Sequence, residues 1–461
     1  MTQTNTISSK LLLSIFATGI MAFSGIVSET AMNVTFPTLM KEFDVGTSTV
    51  QWLTTGYLLM LALVVPLSSF LKKRFSAKDL FLFAIALFIG ATIYAGLSTQ
   101  FAYLLIARLI QGGATGIALP LMFNIIITQA PKQKIGMLMG IATLIVAMAP
   151  AVGPVLGGVV IDFYGWRMVF FLLLPLLFLA LAAGIFAISP TNSPEKVRFD
   201  FIGYFLLAVS FASFIFATEK TAHYGWFDPL VLGLLVLSLV ALSGFVLKAK
   251  QGKNPLIHLA VFQYKPFVLS LLFILSIQFN VLALGYLIPN YAQIATHSSA
   301  FIAGFLLLPG CLVGAFIAPF SGKLLDRMGA KKPILQGAVL IVLSLTLFSV
   351  FGQQLSTILI MLFYLIYAIG QGFSVGNMMT NGLRQLPVEL SADGNAVINT
   401  LQQLAGATGT SVVASIVANQ QQKIDLTQGT MLGSQQAFIL LMLFSVFGLF
   451  CAVKTFQIQK K

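Results

Sequence analysis

The chain reads as an all-α polytopic membrane protein, on three observations. Of its 461 residues 58% are hydrophobic and only 8% charged, against roughly 25% charged in a soluble domain. Apolar runs of about 20 residues, the length a helix needs to cross hydrocarbon, recur from end to end. Phenylalanine is abundant in them, 41 residues in all, and helices rather than a barrel then satisfy the backbone.

Fourteen spans follow in order. The first, 11–35, holds an acid, Glu29, and lacks a small-residue cleavage site; it is expected to be a retained helix and not a removed signal peptide. Spans 50–70 and 80–98 flank the basic loop in PLSSFLKKRFSAKDLF, and span 102–127 encloses Arg108. Span 135–160 contains TLIVAMAPAVGPVLGG, in which Pro150 and Pro154 remove backbone donors and Gly153, Gly157 and Gly158 remove side chains. Such a helix is expected to kink and to let a neighbouring backbone approach closely. Span 167–188 ends at the polar, proline-broken segment 188–200. Spans 201–218 and 229–247 form a pair, closed by the long basic loop 248–266. Spans 267–290, 299–320, 333–352, 357–380, 396–419 and 435–453 complete the chain. The two seams divide it into a six-helix bundle (1–190), a two-helix insert (191–265) and a second six-helix bundle (266–461). An echo supports the division: PFSGKLLDRMGAKKPIL, after the tenth span, repeats the plan of PLSSFLKKRFSAKDLF after the second.

With an even number of spans both termini lie on one side. Twenty-one lysines and arginines share that side, four lie opposite, and Arg108 is inside a span. The bias makes the termini cytoplasmic and places the protein in the cell membrane. It also accounts for the net charge of +13 without a nucleic-acid partner. Cys311 and Cys451 sit in apolar runs, which argues against a disulfide framework, and His223, His258 and His297 lie apart with no metal-ligand cluster. No phosphate-binding loop of the G-x-x-x-x-G-K-[ST] type occurs. An ion gradient is the remaining energy source, and one charge moving through 100 mV supplies about 2.3 kcal/mol. No cofactor is implied, and a membrane-embedded enzyme would need clustered acids or histidines near the interface.

Glu29 is the only acid placed deep within a span. An ionised acid at a helix centre costs about 2.5–3.5 kcal/mol on insertion scales, so such a residue is a functional candidate by default. A carboxyl there can hold a proton or a cationic substrate, but not both at once, which is the minimal device for antiport. The alternative is a neutral structural acid near one membrane surface. Arg108 cannot in practice lose its charge and must face a cavity, carbonyls or acids; an arginine snorkelling to the interface is the alternative. Asn33, Gln111, Gln278, Asn280, Asn377 and Asn399 can line a cavity, as can Asn124, Gln402 and Gln403, although amides in spans often only bridge helices. Tyr57, with Phe279, Tyr286 and Phe373, can form an aromatic wall or simply pack. Trp52 and Trp166, at span ends, are expected at the membrane boundary.

These residues together resemble the major facilitator superfamily, and within it the fourteen-helix drug:proton antiporters. Gly153, Pro154, Gly157 and Gly158, with Pro150 ahead of them, are similar to the fifth-helix antiporter motif G-P-x-x-G-G. ARLIQGGATG is similar to the fourth-helix motif R-x-x-Q-G through Arg108, Gln111 and Gly112. SETAMNVTFP resembles the first-helix pattern D-x-T-x-x-N-V-A-x-P, with Glu29 at the acidic position, and its opening looks most like the lincomycin-resistance branch. ADGNAVINTLQQLAGATGTSVVA resembles the thirteenth-helix pattern. The cytoplasmic gating motif is nearly complete in the second half, at Gly322, Leu325, Asp326, Arg327, Gly329, Lys331 and Lys332, and degenerate in the first, where KKRFSAK lacks the glycines and the aspartate.

The resemblance implies a major facilitator fold with two additional central helices. It implies export of small amphipathic drug-like compounds in exchange for protons by alternating access. Glu29 and Arg108 would couple protons, and Lys323, Asp326 and Arg327 would latch the cytoplasmic ends. A monomer in the lipid bilayer is the expected working unit. A specific lipid, metabolite or peptide as cargo is the alternative on the same fold.

Overall fold

A computed structural model describes residues 8–131, 135–189, 199–225, 227–251 and 258–459. The described chain runs as successive helical passages: α1 (Ser9–Phe43), α2 (Thr47–Leu67), α3 (Ala77–Gly96), α4 (Phe101–Gln129), α5 (Ile135–Tyr164), α6 (Met168–Ala187) and α7 (Phe201–Tyr224). They continue as α8 (Pro229–Gln251), α9 (Lys265–Ile294), α10 (Ala300–Phe305, resumed as Leu308–Met328), α11 (Lys331–Phe351), α12 (Thr357–Leu383), α13 (Val388–Lys423) and α14 (Leu426–Ile458). Among the described residues twelve stretches are long and apolar enough to cross a membrane. The long helix α13 falls short of the spans expected, diluted by Asn395, Asn399, Gln402, Gln403 and Asn419.

Helix starts follow side-chain chemistry. Ser8, Ser76, Ser299 and Ser356 each accept a backbone N–H three residues on, and Asp200 and Asp425 do the same with a carboxylate, satisfying donors that the first turn leaves free. Asp79, the acid nearest the degenerate first-half loop, is committed to this work: Ser76 donates to it at 2.7 Å. At the other end of α1, Asp44 adopts a left-handed φ of 51° and stops the helix.

One bundle forms from α1 to α6 and a second from α9 to α14, with contacts between them along α1–α9, α2–α13 and α5–α10. Leu11, Leu80, Ile126, Leu138 and Leu177 belong to the core of the first bundle; Phe273, Leu345, Phe348 and Phe438 belong to the second. The inserted pair is not peripheral. Leu207, Phe211 and Ile215 of α7, four apart and therefore on one face, join Leu58, Leu61 and Ala407 in a third core where α2 meets α13. Ser238 of α8 donates to the Ser210 carbonyl at 2.9 Å and ties α8 to α7. Both described ends of the chain lie at one face, called terminal below. At the opposite, distal face, Thr47 donates to Gln421 at 2.6 Å and Gln293 to the Val34 carbonyl at 2.9 Å, so the halves are bonded together there.

Candidate functional site

Arg108 is fully buried and ties four helices together. From α4 its Nε donates to the Leu53 carbonyl of α2 at 3.2 Å. One terminal nitrogen donates to Ser28 Oγ of α1 at 2.8 Å and to Gln111 Oε1 at 2.7 Å. Gln111 passes the connection on, donating to Thr92 of α3 at 2.9 Å. The guanidinium carbon lies 4.4 Å from the ring centre of Tyr57, whose hydroxyl donates to Thr115 at 2.7 Å with the Gly25 carbonyl 3.0 Å away. The second terminal nitrogen of Arg108 has no partner among the described residues. A permanent cation held this way is oriented, and it keeps unspent donor capacity.

Glu29 follows Ser28 on α1 and is 6% exposed. Among the described residues no donor reaches its carboxyl, and Arg108, bonded to the adjacent Ser28, is the buried cation near it. The two ionisable groups singled out by sequence thus lie in one cluster, with Gln111 and Tyr57 between the helices that hold it. Gln111 and Tyr57 are fully buried in that knot. An acid beside a fixed cation can exchange its own proton while the local charge changes by one unit.

Asn33, one turn beyond Glu29, accepts a hydrogen bond from Thr54 of α2 at 2.9 Å, and its amide faces Gly285 of α9. It therefore stands where both bundles meet. Asn280 of α9 is fully buried and both amide atoms lack partners among the described residues. Asn377 bridges α12 to α10, donating to Ser321 Oγ at 2.6 Å. Asn399 donates to the Asn395 carbonyl of its own helix at 2.9 Å, and Gln278 is half-buried. The structure brings Asn33 towards the Glu29 cluster and ties Asn377 into a helix contact.

The antiporter-motif segment does what its small residues suggest. A side-chain carbon at Gly157 would stand 2.8 Å from the Ala31 carbonyl of α1, and one at Gly158 2.5 Å from the Ala300 carbonyl of α10. One at Gly153 would strike Thr30. Gly304 of α10 in turn faces the Pro154 carbonyl, and Cys311 Sγ lies 3.8 Å from that of Pro150. The α5 helix is therefore wedged between α1 of one half and α10 of the other. Next to this contact Phe301 N–H donates to Asp162 at 2.9 Å.

Of the gating residues, the side chains of Gly322, Lys323, Asp326 and Arg327 lie outside the described residues. Gly329 is described: its φ of 79° lets the chain turn from α10 into α11, a conformation that disfavours any side chain.

Two expectations are corrected. Trp166 is not at a lipid boundary: it is 2% exposed and donates to Glu42 at 2.6 Å, while Arg167 pairs with the same carboxylate at 2.8 Å. Glu29 is not the only sequestered acid, because Glu219 of α7 is 8% exposed. A span ended at Thr218 left it in a loop; helix α7 continues to Tyr224.

Residues 18–410 match the Major Facilitator Superfamily. A lincomycin resistance protein of Listeria innocua is 34% identical over 452 residues, covering 96% of each chain. That of Bacillus subtilis is 34% identical over 440 residues, covering 93% of this chain and 92% of its own. A multidrug resistance protein of Mycobacterium tuberculosis is 25% identical, covering 88% of this chain and 76% of its own. Among solved structures, a bacterial homolog of the human lysosomal transporter Spinster, inward-facing and unoccupied, superposes with a TM-score of 0.68 at 14% identity, with 98% of each chain covered. A POT family transporter in complex with a peptide conjugate gives 0.67 at 16%, with 95% of each chain covered. These two likenesses concern the fold alone.

Proposed function

The chain belongs to the Major Facilitator Superfamily, and from that membership we infer that it exports small amphipathic toxic compounds, antibiotics among them, in exchange for protons. It is a multi-pass membrane transporter and not an enzyme. The observation that carries the proton reading is Glu29, a buried carboxyl with no hydrogen-bond donor among the described residues, held in the field of a fully buried arginine. The resistance proteins it resembles supply the cargo class.

In this reading the protein works as a monomer in the cell membrane with both termini in the cytoplasm, as the basic-residue bias supports. The distal face is then the outer one. A proton arriving from outside neutralises Glu29 and releases the cargo, and its loss towards the cytoplasm resets the site. Asn33, beside the meeting of α1, α2 and α9, contributes to the cargo cavity, together with Gln278, Asn280 and Asn399. Asp326 and Arg327, with Gly322 and Gly329, bias the cytoplasmic gate; pairs worth about 0–1 kcal/mol suffice where two states are close in energy.

Uptake of a fluorescent amphiphile into everted vesicles under an imposed pH gradient tests this. Glu29→Gln is expected to lower uptake at least about tenfold, the equivalent of about 1.4 kcal/mol of coupling. Undiminished uptake would remove Glu29 from the mechanism. A panel of unrelated amphiphiles separates broad export from a single lipid, metabolite or peptide cargo.

A further inference from the structure

At the terminal end of the first bundle lies a recess that the transport cycle above does not use. Beyond α2 the chain passes through a tighter turn at Val65–Leu67 and continues as a short helix, Ser68–Arg74. Pro66 lies in that turn, and Pro120 lies inside α4. Proline removes a backbone hydrogen bond and bends a helix, which gives both walls a reason to diverge there. Between the short helix, the start of α3 and the last part of α4, about 470 Å³ is left unfilled, counted out to the open mouth.

The recess differs in chemistry from mouth to floor. Phe75, Ala77 and Thr128 stand at the mouth, close to the ends of their helices. One turn in, Lys72 Nζ donates to Asn124 Oδ1 at 3.2 Å. From Asn124 to Ile117 the floor continues inward for about 10 Å at 1.5 Å per residue. Leu71, Leu80 and Leu121 line it, and Ser68 is the one polar residue at that depth.

Charge is unbalanced at this end. Lys72 has spent one of its three donors on a neutral amide, and it pairs with no carboxylate among the described residues. Lys73, Arg74 and Lys78 add three cations nearby in sequence. The one acid of that loop, Asp79, accepts from Ser76 at 2.7 Å and does not line the recess. When PLSSFLKKR is set against PFSGKLLDR of the second half, Lys73 takes the place of Asp326. The second half carries its own anion at this loop; the first half carries a cation instead.

A cation above an apolar floor, at the end of the bundle where basic residues gather, matches an anionic phospholipid, with the phosphate at Lys72 and an acyl chain along Leu121 and Ile117. A soluble phosphate would leave that floor uncovered. We propose that the recess between Ser68–Arg74, α3 and α4 is a binding site for an anionic phospholipid, whose phosphate supplies the counter-charge that the first-half loop lacks. Two Lys72 donors remain for it, and Asn124 holds the ammonium in place. The proposal uses the membrane-spanning fold alone, so it stands or falls apart from proton-coupled export.

Full-length protein in phosphatidylcholine vesicles is given a trace of phosphatidylglycerol carrying a photoactivatable diazirine in one acyl chain, and cross-linked peptides are read by mass spectrometry. Against the same probe with a phosphatidylcholine headgroup, capture on segments 68–80 and 117–128 is expected to be enriched about fivefold, the equivalent of about 1 kcal/mol for one lysine at an anionic membrane surface. Unlabelled phosphatidylglycerol is expected to remove the enrichment, and an excess of inorganic phosphate on both sides of the membrane to leave it. Lys72→Gln, and Asn124→Asp, which sets a carboxylate against Lys72, are each expected to abolish it. Lys454→Gln, at the terminal end of α14, is expected to leave it in place. Equal capture of the two probes by the native protein overturns the proposal. So does an enrichment that inorganic phosphate removes, that survives Lys72→Gln, or that Lys454→Gln abolishes. The comparison in native protein decides even where a variant fails to fold.

Discussion

The Arg108 guanidinium rests 4.4 Å from the ring centre of Tyr57, and the same tyrosine reaches past it to bond Thr115 at 2.7 Å. One side chain thus positions the cation on α4 and clamps α2 to that helix. Tyr57→Phe keeps the ring and loses one hydrogen bond, an expected cost of about 0.5–1.5 kcal/mol with export reduced a few-fold at most. Tyr57→Ala removes the ring from beneath a buried charge and is expected to cost about 3–5 kcal/mol. Thermal unfolding in detergent and dye export in vesicles measure the two effects.

Arg108→Lys preserves charge and loses shape. Lysine has no planar fork to serve Leu53, Ser28 and Gln111 at once, so acceptors in the interior are stranded at about 1–3 kcal/mol each. Export is expected to fall at least about tenfold in this variant, whose stability loss exceeds that of Tyr57→Phe. Export near the native level would mean that a positive charge suffices there.

Gly157→Val places a branched side chain against the Ala31 backbone, where even one carbon comes within 2.8 Å. Overpacking of this kind costs about 1–3 kcal/mol. Gly158→Ala presses on Ala300 of the other half instead, and is expected to stop export while leaving the first bundle folded. Limited proteolysis beside a transport assay distinguishes the two.

Asn280 is a fully buried amide without partners among the described residues. An unmade buried hydrogen bond costs about 1–3 kcal/mol, so Asn280→Leu is expected to raise the melting temperature. If the amide serves cargo, the same variant loses export several-fold; unchanged export with higher stability would remove Asn280 from the cavity.

What could be read from residues alone divides along a physical line. The apolar runs, the caps and the rarity of charge within spans are local properties, so the helical passages, Glu29 and Arg108 were legible. Facing is not local. For Tyr57 and Gln111 the residues alone left cavity wall and packing both open, and in the structure they brace Arg108, because which side of a helix looks inward depends on neighbours far along the chain. Trp166 shows the same limit: its partner Glu42 is 124 positions away. Glu219 escaped notice because hydropathy declines before α7 ends, and the last helical turn still packs inside.

Where Gly158 meets Ala300 and Gly304 meets Pro154, main chain bears on main chain with almost no side chain between. Such a bearing has few rotamers to reset when one half tilts, so the joint can act as a fulcrum of nearly fixed position. The stroke delivered at either mouth is then governed by the lever lengths of α5 and α10. Lengthening the hinge by a single methyl group is expected to jam the machine long before it unfolds it.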